Sequence, residues 1–153
     1  MSVSSTTRRI GATVLAAGAI VSAAALPAIA ADRGHDRHPR VEISRVQADS
    51  PGRDDHSNRS LNNEWVEIRN TTRQPVNLRG WTLRDADGNR YRFHDIRIAG
   101  RGTIRVHTGT GRDSRTDVFQ GKREYIWGNR GDTATLRDDR GRTVDTESWG
   151  RRP

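Results

Sequence analysis

The chain has 153 residues, a formal net charge of +8 and no cysteine. This length allows one domain with short tails, and the absence of cysteine excludes a disulfide framework and a thiolate metal site. Lys122 is the only lysine, so arginine carries almost all of the positive charge. The arginines are scattered along the chain, which favours a GC-rich genome over selection for binding phosphate or carboxylate groups, although both interpretations stay open.

Residues 1–30 predict a signal peptide. Arg8 and Arg9 precede an uncharged apolar run, and Ala28-Ile29-Ala30 has the small-x-small pattern of a cleavage site. A membrane anchor is the alternative, but the run is rich in alanine and glycine and is therefore weakly hydrophobic. With cleavage after residue 30, we expect a secreted or cell-wall-associated protein without a transmembrane segment. The charged segment 31–40 predicts a disordered linker.

Beyond the linker, apolar and polar residues alternate with the period of a β-strand. This pattern predicts an all-β fold, an antiparallel β-sandwich, over residues 41–150, followed by a polar tail at 151–153. In the first strand, 41–48, the alternation changes phase, which predicts a β-bulge or a bend. Long polar loops are predicted at 49–63 and 109–124.

The apolar positions of the alternation define a candidate core. Trp81 is predicted to be its central aromatic residue, because two-sheet sandwiches often bury one tryptophan. The segment 125–127 (YIW) predicts a further short strand. The other residues predicted to face the core are Val66, Ile68, Leu78, Leu83, Tyr91, Phe93, Ile96, Ile98, Ile104, Val106, Ala134, Leu136, Val144 and Trp149.

The segment 85–89 (DADGN) predicts a tight hairpin turn. Its Asp, Asp and Asn at alternate positions resemble the start of an EF-hand loop, but Ile96 stands where the completing Glu is required. Asp and Gly are also the residues that a tight turn needs. Residues 83–88 recur in part at 136–141, which predicts a second hairpin with the same turn chemistry.

No pattern in the chain predicts a catalytic or cofactor site. The GxSxG, HExxH and Walker motifs are absent, and there is no cysteine nucleophile. His35 and His38 lie in the predicted linker, where a metal would bind only adventitiously. Asp54-Asp55-His56 is the leading candidate for a weak cation site, but it lies on a polar loop without an apolar anchor. We therefore predict no enzymatic activity, no cofactor and no metal centre.

Five segments form a combined pattern. They are 65–70 (WVEIRN), 78–83 (LRGWTL), 91–93 (YRF), 99–104 (AGRGTI) and 131–138 (GDTATLRD). The combination resembles the lamin tail domain, an immunoglobulin-like β-sandwich found in nuclear lamins and in many bacterial secreted proteins. The resemblance implies a fold, with these segments as core strands and turns, and it implies no site residue. It also implies an interaction module, since some such domains bind DNA or protein partners and others accompany nucleases or other hydrolases.

The same alternation predicts an outward-facing basic patch, because residues that flank inward positions face outward. The candidate site residues, which we place on the exterior of one sheet, are Arg84, Arg90, Arg92, Arg97, Arg105 and His107. Such a patch favours a polyanion at a cell surface: an anionic cell-wall polymer such as teichoic acid, extracellular nucleic acid or an acidic glycan. The alternatives are a solvated face whose arginines pair with nearby carboxylates, a structural cell-envelope domain that binds a surface protein, and an accessory domain of a hydrolase or nuclease.

Overall fold

The computed structural model describes residues 40–150. The predicted signal peptide at 1–30, the linker as far as residue 39 and the tail at 151–153 lie outside the described residues. Within them, no helix has the length and apolar character needed to cross a bilayer. The elements are β1 (Val41–Gln47), α1 (Asn58–Asn63), β2 (Trp65–Asn70), β3 (Val76–Asn77), β4 (Thr82–Arg84), β5 (Arg90–Arg92), β6 (Arg97–Ile98), β7 (Thr103–His107), β8 (Asp117–Phe119), β9 (Gly131–Arg137) and β10 (Thr143–Gly150).

The strands form two four-stranded sheets and one two-stranded sheet. The front sheet has the order β1-β2-β7-β8, the back sheet has the order β10-β9-β4-β5, and β3 pairs with β6 in the small sheet. All pairs are antiparallel except β7 with β8. Buried apolar residues from the front and back sheets form one core. The predicted all-β sandwich is therefore confirmed.

Strand alternation explains how the core is filled. Val66 and Ile68 on β2 and Ile104 and Val106 on β7 have no exposed surface. They alternate with residues that face away from the core, as the period of two requires, and these are polar or charged except for Trp65. The front sheet therefore has one apolar side, which faces the core, and one solvated side.

β1 contains the predicted bulge. Its register against β2 shifts between Ile43 and Arg45, and the extra residue returns Val46 and Ala48 to the side of the core. At the same place the Ile43 N–H donates to Asp145 Oδ2 at 2.7 Å. Because Asp145 belongs to β10, this bond joins the front sheet to the back sheet.

The core tryptophan is Trp127, so the prediction of Trp81 was wrong. Trp127 is 2% exposed, whereas Trp81 packs against the core from a partly buried position. Trp81 closes a turn by donating its N–H to the Leu78 carbonyl oxygen at 2.9 Å, and Gly80 supplies the φ of +81° within that turn. The turn places the indole in the wall of a groove of about 860 Å³. The other predicted core residues that are only partly buried are Tyr91, Ile96, Val144 and Trp149.

A buried carboxylate explains why 125–127 is not the predicted strand. Glu64 has no exposed surface, and its Oε1 accepts hydrogen bonds from the N–H groups of Ile126 (2.9 Å) and Trp127 (2.8 Å). The same oxygen accepts from the Thr108 hydroxyl at 3.0 Å. Amides that donate to this side chain are not available to a neighbouring strand. Burial raises the pKa of the Glu64 carboxyl, and its Oε2 has no hydrogen-bond partner within residues 40–150.

Both predicted polar loops contain a short element. In the first, Ser57 caps α1 by accepting from the Ser60 N–H at 3.2 Å, and Leu61 is buried. In the second, β8 runs parallel to β7 and buries Val118. Each element buries a single apolar residue, and hydrophobic periodicity cannot reveal an element of that size.

The two predicted hairpins are confirmed. In the β4–β5 turn, Asp85 Oδ1 accepts from the Asn89 N–H at 2.7 Å. In the β9–β10 turn, Asp138 Oδ1 accepts from the N–H groups of Arg140 and Arg142, both at 2.9 Å. An aspartate at the same position of the repeated segment thus closes each turn.

Candidate functional site

The structure distributes the predicted site residues over three sheets. Arg84, Arg90 and Arg92 lie on β4 and β5 of the back sheet, Arg97 lies on β6 of the small sheet, and the remaining two lie on β7 of the front sheet. The prediction that all six share one sheet was wrong, because the chain leaves the back sheet after β5 and pairs β7 with β2. Alternation predicts which way a side chain points, but it does not predict which sheet a strand joins.

The two front-sheet residues are engaged by carboxylates. Arg105 Nε lies 3.1 Å from Glu67 Oε2, and its guanidinium lies 4.3 Å from the centroid of the Trp65 ring. His107 Nε2 lies 2.9 Å from Asp117 Oδ1. The alternative of a face whose arginines pair with nearby carboxylates therefore describes Arg105, and the His107 ring also contacts a carboxylate.

The outer side of the whole front sheet is mixed in charge. By register, its outward charged residues stand opposite one another on β1, β2, β7 and β8. Three are acidic and three are basic, which gives no net charge: Glu42, Glu67, Asp117, Arg45, Arg69 and Arg105.

All the charged residues on the outer side of the back sheet are basic. Arg84 stands opposite Arg90 across the β4–β5 pair, and Arg92 stands opposite Thr82. All three arginines are exposed. No ion pair within residues 40–150 includes any of them. The carboxylates that neutralise the front sheet have no counterpart here.

Arg137 completes this cluster, and the sequence prediction missed it. Unlike the other three, it is half-buried, and its Nη1 donates to the Gly141 carbonyl oxygen at 3.0 Å. It is the register partner of Thr82 on β9, so Thr82 lies between Arg137 on one side and Arg92 on the other. The recurrence of 83–88 at 136–141 could have revealed it, because Arg137 takes the place of Arg84 in the repeated segment. We call Arg84, Arg90, Arg92 and Arg137 the arginine face.

The strand geometry brings these four residues close together. Neighbouring strands are about 4.8 Å apart, and alternate residues of one strand are about 6.8 Å apart. From these spacings, the Cα atoms of the arginine face fall within about 12 Å of one another. The other outward residues of the described back sheet are hydroxyl-bearing or glycine, and none is acidic. Those with hydroxyls are Thr82, Thr133, Thr135, Thr143, Thr146 and Ser148.

Replacing Arg90 with threonine is expected to stabilise the fold. Like charges directly opposite each other in a sheet are unfavourable by up to about 1 kcal/mol, and Arg90 faces Arg84. We expect a gain of about 0.5 kcal/mol at low ionic strength that shrinks in 1 M salt, measured by urea unfolding. Arg45→Thr is the control, because Arg45 faces Glu67 and its loss removes an attraction. A loss of stability for Arg90→Thr would contradict this view of the face.

In the Asp54-Asp55-His56 segment, the side chains of Asp55 and His56 already contact other groups of the protein. Asp55 Oδ1 accepts from the Ser57 N–H at 3.0 Å, and hydrogen bonds from Ser57 lower the pKa of Asp55. His56 Nδ1 lies 3.1 Å from Glu124 Oε2. Among residues 40–150, no three His, Asp or Glu side chains come together as metal ligands. His35 and His38 lie outside the described residues.

Comparison with known proteins agrees with the architecture. A search of the curated proteins found no match to the chain. The family model of the Lamin Tail Domain matches residues 36–151, a range that contains both four-stranded sheets and the arginine face. The family is one of non-enzymatic, immunoglobulin-like interaction domains. The chain belongs to the lamin tail domain family.

Proposed function

We propose that this protein is a non-catalytic binding module that holds anionic polymers on the arginine face. The observation that carries the proposal is the register of four arginines, three exposed and one half-buried, on one sheet side that has no carboxylate of its own. Guanidinium presents a planar fork of donors that suits phosphate, sulfate and carboxylate groups. Several such groups fixed on neighbouring strands can bind successive charges of one polymer.

The contrast between the two sheets supports the same function. The outer side of the front sheet carries no net charge, whereas that of the back sheet carries four positive charges. A one-sided field of this kind attracts and orients a polyanion, and the attraction weakens as salt increases. Export directed by residues 1–30 would bring the arginine face to the anionic polymers of a cell surface.

Removing three charges from the arginine face is expected to weaken polymer binding at least tenfold. The variant is Arg84→Ala, Arg90→Ala and Arg92→Ala together, and the measurement is affinity for an immobilised polyanion over a salt series. For phosphate polymers, each lost contact lowers the slope of log K against log salt by about 0.7–0.9. We therefore expect the slope to fall by about 2–3.

The control removes the same charge elsewhere. Arg45→Ala, Arg69→Ala and Arg112→Ala together take three exposed arginines from β1, β2 and the loop before β8. We expect this variant to keep its affinity within about threefold, because long-range attraction alone is screened beyond about 10 Å at 0.1 M salt. Equal losses for both variants, or no binding by the unaltered protein at low salt, would refute the proposed site.

A further inference from the structure

The outer side of the back sheet has two chemically different halves. The arginine face occupies β4, β5 and the end of β9, while hydroxyl-bearing residues occupy the rest of β9 and β10. Register aligns the two halves: Thr146 on β10, Thr135 on β9, Arg84 on β4 and Arg90 on β5 form one row across the sheet. A chain lying along this row meets two hydroxyls and then two guanidinium groups.

The hydroxyls of this row are available to a ligand. Thr133 and Ser148, one step along the strands, bond each other, with their hydroxyl oxygens 2.9 Å apart. No hydrogen bond within residues 40–150 engages the hydroxyls of the two threonines in the row, Thr135 and Thr146. The same holds for Thr82, which lies beside the row. A free hydroxyl offers one donor and two acceptor positions. It therefore suits a partner that also presents hydroxyls, since such a partner both donates and accepts.

The face lacks what a single-stranded nucleic acid would use. Proteins of that kind stack bases on aromatic side chains, and no outward position of the described back sheet is aromatic. Tyr91 and Trp149, the aromatic residues in its strands, pack against the core. A DNA backbone also presents acceptors alone along its phosphates and deoxyriboses, which leaves the acceptor capacity of the threonine hydroxyls unused.

We propose that the polymer bound by the arginine face is an acidic polysaccharide, whose charged groups are interspersed with hydroxyls, and that Thr135 and Thr146 select it. The inference rests on the proposed function of the arginine face and adds the class of ligand. The row spans three strand spacings, or about 14 Å. The ligand must therefore carry both hydroxyl and acidic groups within that distance.

The test uses Thr135→Val with Thr146→Val, because valine keeps the shape of threonine and is favoured in strands. Binding at one fixed ionic strength is measured to three probes: polygalacturonate, inorganic polyphosphate and single-stranded DNA. We expect a three- to tenfold loss of affinity for polygalacturonate, the loss for one to two modest hydrogen bonds. Affinity for polyphosphate, which has no hydroxyls along its chain, is expected to stay unchanged. Thr103→Val, an exposed threonine of the front sheet, is the matched control, and thermal unfolding confirms that each variant is folded.

The outcomes separate the two proposals. Unchanged polygalacturonate affinity in the double valine variant, or an equal loss for polyphosphate, would overturn selection by the hydroxyls. Tighter binding of single-stranded DNA than of polygalacturonate by the unaltered protein would overturn the polysaccharide as ligand. In either case, a loss of polyphosphate affinity in the triple arginine variant would still support the arginine face. If that triple variant keeps full affinity for every probe, the proposed function itself fails.

Discussion

Replacing Glu64 with leucine is expected to destabilise the domain by about 3–5 kcal/mol. Leucine removes the acceptor of three hydrogen bonds, so the N–H groups of Ile126 and Trp127 and the hydroxyl of Thr108 lose their partner. Each buried donor left unsatisfied costs about 1–3 kcal/mol, and relief from burying a charge offsets part of the sum. The total free energy of unfolding of a domain of this size is about 5–15 kcal/mol. Urea unfolding followed by tryptophan fluorescence measures the loss.

Glu64→Gln separates hydrogen bonding from charge. The amide oxygen can still accept from all three donors, so we expect a smaller loss. Burial raises the pKa of Glu64 above its ordinary value of 4.5, so the carboxyl favours folding most when it is protonated. Its contribution is fully present below about pH 4.5 and is lost as pH rises through the folded pKa. The stability of the unaltered protein relative to Glu64→Gln should therefore fall from acidic to neutral pH. A constant difference would show that the carboxyl titrates normally.

Replacing Trp127 with alanine is expected to cost about 3–5 kcal/mol, the usual range for a buried aromatic residue. Its indole is 2% exposed and lies 5.9 Å, centroid to centroid, from the ring of Trp149. Trp81→Ala is the matched comparison, because Trp81 is only partly buried against the same core. We expect less than half of the Trp127 effect. Equal losses in equilibrium unfolding would contradict the assignment of Trp127 as the central tryptophan.

The fold was predictable from sequence wherever alternation is sustained. β2 and β7 each place two apolar residues at a period of two, and both strands were found with the expected inward faces. The bulge in β1 and the two aspartate turns also follow from local chemistry. These features depend on residues that are close in the chain, so a sequence pattern contains the information that determines them.

Trp127 was not predictable in this way. Its place is determined by Glu64, which is 63 residues away in the sequence. A buried carboxylate that orders a distant irregular segment leaves no periodic signal. The parallel strand β8 was not predicted for a related reason. Its three residues are too few to show a periodic pattern, and they pair with β7, a separate strand of the fold.

The candidate site was predictable in part. Alternation identified Arg84, Arg90 and Arg92 as outward residues, and the structure places them together. It also added Arg97, Arg105 and His107, which lie on the other two sheets, and omitted Arg137. Whether two outward residues share a surface depends on strand order, which is a property of the whole fold, not of the periodicity of any one strand.

The position of β5 has a consequence for the behaviour of many copies of the protein. β5 is one of the two border strands of the back sheet, the other being β10, and it is only three residues long with arginine at both ends. A longer, uncharged border would offer open backbone groups to a neighbouring molecule and act as a template for aggregation. The guanidinium groups that we assign to polymer binding thus also discourage strand addition at the β5 border of the sheet.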